Sequence, residues 1–263
     1  MEIAALVLLF AFLGWIAFSW KKPTAIVPQL SRKVCQSILL EKVSFYKKLT
    51  AEGQETFVDR LLKFLSKVKI TGVSCTVEDE DRVFVAASAI IPIVGFPGWE
   101  YTNLNEVLLY AGSFNQDFER HETAEKPVLG MVGDGPMQHV MVLSQQALRE
   151  GFTNSTDKQN TGIHEFVHLL DKTDGEIDGV PESLLAYKHL VPWLKHMQAS
   201  IRDIMADQSD INPYGATNEA EFFAVAAEYF FERPDLLQAK HPELYTLLER
   251  IFRQQPVDTS EMG

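Results

Sequence analysis

Ten residues, Gly162-Ile163-His164-Glu165-Phe166-Val167-His168-Leu169-Leu170-Asp171, restrict what this chain can fold into more than any other stretch. Ile163, Phe166, Val167 and Leu170 supply the apolar face of an α-helix and need a core to cover them. On that helix His164 and His168 stand one turn apart, so both imidazoles leave the same face and can hold one metal ion. Glu165 lies beside them, placed to take a proton from a water at the metal rather than to ligate it, the division of labour of HExxH zinc peptidases. An ordinary packed helix can carry the same three side chains without chemistry, and a third ligand is what separates the two readings.

A catalytic zinc takes three protein ligands and keeps one position for water. The stretch from Tyr214 to Glu232 predicts a helix capped by Thr217 or Asn218 and ended by Pro234. Glu221 and Glu228 fall two turns apart on one face, with Ala224 and Val225 between them, small enough to let a second helix approach. Spacing alone does not choose between the two glutamates. Glu219 and Glu232 fall on other sides and read as solvated, Glu219 also favouring the helix dipole. Asp171, three residues beyond His168, either accepts an imidazole N–H and fixes its tautomer or marks a solvated helix end.

The rest of the chain is organised around this pair of helices. Residues 3–20, IAALVLLFAFLGWIAFSW, are uncharged and about long enough to cross a bilayer, with Trp15 and Trp20 toward one end. Lys21, Lys22, Arg32 and Lys33 follow, so the positive-inside rule predicts a single-pass membrane anchor with the amino terminus outside and the remainder on the cytoplasmic side. The competing reading is a cleaved export signal at Ala17-Phe18-Ser19, which lacks a basic leader. Residues 1–21 are thus assigned to the anchor, 22–33 to a linker, 34–256 to the peptidase domain and 257–263 to a tail.

Helical periodicity covers Val34 to Leu49, then Phe57 to Val68 after a cap near Thr50, and again residues 183 to 206. Between them, Val73–Val77, Val83–Ile91, Val107–Tyr110 and Val140–Leu143 are β-branched runs that predict a small sheet. Glu78-Asp79-Glu80-Asp81 reads as a solvated hairpin turn, and Gly130 to Pro136 as a glycine-rich turn without the lysine a phosphate loop needs. His139 to Ser144, if an edge strand beside the cleft, could pair with the backbone of a peptide. Asn160 or Thr161 is available to cap the metal-bearing helix. His121, His139, His189, His196 and His241 have no partners at ligand spacing and read as solvated or packed.

The formal net charge of -12 argues against a nucleic-acid surface and suits a cationic group such as a peptide amino terminus. Two cysteines, Cys35 and Cys75, without CxxC spacing indicate neither a thiol zinc site nor a disulfide framework.

Taken together, HEFVHLLDKTDG, DGVP and YGATNEAEFFAVAAEYFFERP resemble the MtfA-like family of bacterial zinc metallopeptidases, first known as anti-repressors of a glucose-uptake regulator, from about residue 34 to 255. The resemblance implies an α+β, zincin-like domain: a small mixed sheet packed on the HExxH helix and several further helices. It implies one Zn2+ held by His164, His168 and Glu221, Glu165 as general base, and Glu228 behind the ligands. It also implies aminopeptidase-like action on peptides, and a cytoplasmic transcriptional regulator as partner. A rival reading is a membrane-tethered protein that sequesters such a regulator, with hydrolysis secondary or absent. The catalytic domain of anthrax lethal factor is similar in the same block, with a tyrosine seven residues before its ligand glutamate. Tyr214 stands at that distance from Glu221, where a phenol could steady an oxyanion.

Overall fold

Ser31 starts the first helix by accepting the Val34 N–H, and the periodic stretch that follows folds as α1 (Arg32–Lys42) and the short α2 (Ser44–Lys47), broken where Val43 takes extended backbone. Thr50 accepts the Gly53 N–H and so caps α3 (Ala51–Lys67). This computed structural model describes residues 30–112, 130–132, 139–154, 156–181 and 184–252. The expected anchor at 3–20, most of the linker, His121, the glycine-rich turn beyond Val132 and the carboxy-terminal tail lie outside the described residues. Among those described, no helix is long and apolar enough to cross a membrane.

The sheet has four strands, β1 (Lys69–Val73), β2 (Glu106–Tyr110), β3 (Gly130–Val132) and β4 (Val140–Ser144), in the order β1-β2-β4-β3. β1 pairs parallel to β2 and β2 to β4, while β3 runs antiparallel to β4, so the sheet is small and mixed. The expected strand at Val73–Val77 lies earlier: the pairing ends at Val73, and Ser74 turns the chain with φ +58°. The expectation that His139–Ser144 is an edge is overturned. β4 is hydrogen-bonded on both sides, to β2 and to β3, and on that side of the sheet the outermost strand among the described residues is β3.

A larger correction concerns Val83–Ile91, expected as a strand, which forms the end of the helix α4 (Asp79–Ile90) and the first residue of the 3-10 turn after it. Every residue from Val83 to Ile90 is buried, and a helix covered on all sides loses the amphipathic period by which sequence separates helix from strand. The acidic run expected as a solvated hairpin turn is the start of this helix. Glu78 and Asp81 form a capping box, with Asp81 Oδ2 accepting the Glu78 N–H at 2.8 Å. Asp81 is fully buried and also accepts from Gln145 at 2.8 Å and from Arg149 Nε at 2.6 Å.

The second half is helical: α5 (Gln145–Thr153), α6 (Thr161–Asp171), α7 (Tyr187–Met205), α8 (Glu219–Glu232), α9 (Pro234–Lys240) and α10 (Pro242–Ile251). α6 is the central one, with all residues from Gly162 to Asp171 buried. Gly162 lets α4 come close, since a Cβ there would lie 2.1 Å from Ser88 Oγ. Phe166 packs edge-on to Phe64 and Tyr101, with ring centroids 5.8 and 5.2 Å away. On another side α6 meets α8, whose residues Phe222 to Phe231 are all buried.

Candidate metal centre

The helix α6 begins where Asn160, fully buried, accepts the Ile163 N–H with its side-chain oxygen. From that start His164 and His168 project together, their rings at 82° and their Nε2 atoms 3.1 Å apart. α8 begins in the same way, with Asn218 accepting the Glu221 N–H. This aims Glu221 at the histidines: its Oε2 lies 2.9 Å from His164 Nε2 and 3.5 Å from His168 Nε2. Two ring nitrogens and one carboxylate oxygen therefore converge on one point, and among the described residues these three form the cluster able to hold a metal ion.

The donor set fits zinc. Tetrahedral ligands about 2.0–2.1 Å from the ion stand about 3.3 Å from one another, and the observed separations of 2.9, 3.1 and 3.5 Å bracket that value. The second glutamate lies behind the first histidine, with Glu228 Oε1 2.7 Å from His164 Nδ1. A carboxylate there fixes the ring so that Nδ1 carries the proton and Nε2 offers its lone pair. The other oxygen of Glu228 is pinned by the Asn160 backbone N–H at 2.5 Å. One face of α8 thus supplies both glutamates, seven residues apart, to opposite nitrogens of the same imidazole.

The electrostatics favour positive charge at this point. Burial opposes protonation of His164, but the Glu228 and Glu221 carboxylates outweigh it and raise the pKa well above the usual value. Burial likewise pushes Glu221 up, yet hydrogen bonds from His164 and His168 and their charge hold it well below the ordinary carboxylate range. A field that holds a proton between these groups also holds a cation. Glu165, buried beside them, is raised chiefly by desolvation, which makes it more basic as suits a proton acceptor.

Tyr214 sits in the short 3-10 turn Pro213–Ala216, with Asn212 accepting its backbone N–H. Its ring centroid is 6.0 Å from that of His164, and the side chain remains 48% exposed. Partial burial and the nearby Glu221 and Glu165 carboxylates push the phenol up to about 12, so it stays protonated and can donate. Asp171, one of whose expected roles was to accept an imidazole N–H, bonds elsewhere: its Oδ2 accepts the Gly179 N–H at 2.7 Å, and His168 Nδ1 has no hydrogen-bond partner among the described residues. That Asp171 oxygen holds the loop after α6. Glu232, expected in solvent, accepts from Asn160 Nδ2 at 3.1 Å, and burial raises it to about 7. His241, expected as solvated or packed, is tied through Nε2 to Asp210 at 2.7 Å, away from the cage.

Gly130, expected to open a glycine-rich turn, instead begins the strand β3. A Cβ at this residue of β3 would lie 2.4 Å from Glu165 Cγ and 2.5 Å from Oε1, so the strand rests directly on the Glu165 side chain. The available signal was a glycine inside the apolar run Val128-Leu129-Gly130-Met131-Val132, which marks close approach of a backbone as well as a turn.

Two histidines one helical turn apart, a glutamate beside them and a carboxylate delivered by a second helix make up the kind of centre found in HExxH metallopeptidases. Residues 18–253 match the family described as Glucose-regulated metallo-peptidase M90, and the chain belongs to that metallopeptidase family. An uncharacterised protein of Synechocystis sp. is 27% identical over 270 residues, covering 95% of this chain and 97% of its own length. With that coverage the alignment reaches into the apolar run at 3–20. Proteins named Mlc titration factor A are also similar. That of Pectobacterium atrosepticum is 31% identical over 64% of this chain and 66% of its own, and that of Serratia proteamaculans 29% identical over 75% and 78%.

Proposed function

We propose that this chain is a zinc-dependent peptidase in which His164, His168 and Glu221 hold one Zn2+ and Glu165 is the general base. The observation that carries the reading is the convergence of His164 Nε2, His168 Nε2 and Glu221 Oε2 to within 2.9–3.5 Å of one another, from two helices far apart in sequence. Zinc, when bound there, supplies Lewis acidity to a carbonyl and a water of lowered pKa. Glu165 takes the proton of the attacking water and returns it to the leaving amine nitrogen. Glu228 keeps His164 Nδ1 protonated and the ring fixed, and Tyr214 donates its phenolic proton to the carbonyl oxygen as charge develops. A peptide lies extended beside β3, the strand that borders Glu165, rather than β4. Its cationic amino end suits the acidic chain, which agrees with aminopeptidase-like action.

Glu165→Gln tests this directly. The variant retains one metal ion per chain and loses turnover of a peptide substrate by at least ~10²-fold, the usual scale for removing a general base. Unchanged hydrolysis in the metal-loaded variant rejects the assignment.

A second reading is favoured by the relatives named Mlc titration factor A: the chain also binds a cytoplasmic transcriptional regulator, held near the membrane by residues 3–20. Binding that is equal for wild type and Glu165→Gln separates this role from hydrolysis. Fractionation of cells expressing the full chain tests the anchor; recovery in the soluble fraction alone rejects it.

A further inference from the structure

We propose that the cavity between α3 and the segment 90–101 is a second ligand site, which takes a small amphipathic carboxylate. It encloses about 300 Å³, the lower end of the range for small-molecule sites. Phe64 of α3, Val68 just beyond its end, Ile90 and Ile93, and Tyr101 make it predominantly apolar inside. Arg60 keeps the opposite wall in shape: its guanidinium donates to the carbonyls of Ile93, Val94 and Trp99 at 2.8, 3.4 and 3.5 Å. With Arg60 committed to that wall, the charge offered to a ligand comes from Lys63 and Lys67.

Both lysines reach the Glu100 carboxylate, and their hydrogen bonds hold it at about 2. Two ammonium groups carry six N–H donors, more than one carboxylate accepts, so a second carboxylate can share them. Two exposed lysines against one acid give this mouth a positive balance in a chain whose net charge is -12. Trp99 also lines the cavity, and its buried indole N–H has no acceptor among the described residues, a donor that favours any ligand oxygen within its reach. An anionic head at Lys63 and Lys67 with a hydrocarbon or aryl body against Phe64 and Tyr101 matches both halves of the lining. The same two rings pack on Phe166, the residue after Glu165, so the site backs onto α6 away from the metal ligands.

Titration calorimetry of the full, zinc-loaded chain with octanoate, octanol and octylammonium tests the site. Octanoate binds saturably, one per chain, at least ten-fold more tightly than either of the others. Reversing both rim charges (Lys63→Glu with Lys67→Glu) weakens octanoate at least ten-fold while metal content is unchanged, and filling the cavity with Val94→Trp abolishes binding. Absence of saturable octanoate binding, or binding unaffected by the rim reversal, overturns the proposal even if Val94→Trp does not fold. Octanol binding as tightly as octanoate overturns the carboxylate assignment.

Discussion

Glu165 and Gly130 meet so closely that each constrains the other. The carboxylate is buried under β3, and a methyl group at position 130 would occupy the space of its Cγ and Oε1. Gly130→Ala therefore displaces the Glu165 carboxylate, the proposed general base, while leaving the three proposed ligand atoms in place. Peptide turnover falls by ~10²-fold, the effect of about 1 Å of misplacement at a reacting group, and zinc content measured on the same sample stays at the wild-type level. Loss of zinc together with turnover would show that the strand supports the cage rather than the base. At this scale the sequence exposed His164, Glu165 and His168 through helical spacing alone. Spacing left Glu221 and Glu228 unresolved because both lie on one face, and only the family resemblance singled out Glu221; in the structure the two address opposite nitrogens of His164. Asp171 shared the face of the histidines by spacing, and one of its oxygens accepts the Gly179 N–H, a tertiary contact that periodicity does not carry.

At the scale of elements, α6 and α8 are joined at one end by Asn160, which bonds to Glu228 through its backbone and to Glu232 through its side chain. Burial raises Glu232 to about 7, above the roughly 4.3 of an unfolded glutamate. The folded state therefore binds the extra proton between these values, and by linkage this group's contribution to stability falls as pH rises through the window. Glu232→Gln keeps an acceptor for Asn160 and removes the titration. Denaturant unfolding of the variant between pH 5 and 8 shows a flatter pH profile than wild type, by about 3 kcal/mol at most; an unchanged slope would contradict the assignment. Helices with one covered face were legible from their period, among them α3 and α7, while α6, covered all round, was betrayed by the spacing of its polar residues His164, Glu165 and His168. The helix α4 was not, because a helix buried all round carries an unbroken apolar run, and the capping box at Glu78 and Asp81 was the remaining sign of it.

Across the whole molecule, the site exists because separate layers are held in register. Gly179 is one fastening: its N–H is held by Asp171 at the end of α6, its carbonyl accepts from Trp193 Nε1 of α7 at 2.7 Å, and it touches the start of α8. It has φ +77°, and a Cβ there would lie 2.3 Å from the Glu219 carbonyl oxygen. Gly179→Ala costs about 1–3 kcal/mol from the backbone strain alone and lowers zinc affinity by moving the first turn of α8, which presents Glu221. Equal thermal midpoints and equal zinc affinity in the two proteins would remove that role. The mixed sheet and the paired helices were visible in the sequence as a class of architecture, whereas the pairing of β4 on both sides depends on β3, three residues too short to read as a strand. The central claim, one zinc shared by α6 and α8, is tested most directly by the X-ray absorption spectrum of the zinc-loaded chain beside that of Glu221→Ala. The account predicts one zinc per chain with two imidazole nitrogens and a carboxylate oxygen, and loss of that site in the variant; a wild type that binds no stoichiometric zinc, or a spectrum identical in both, would contradict it.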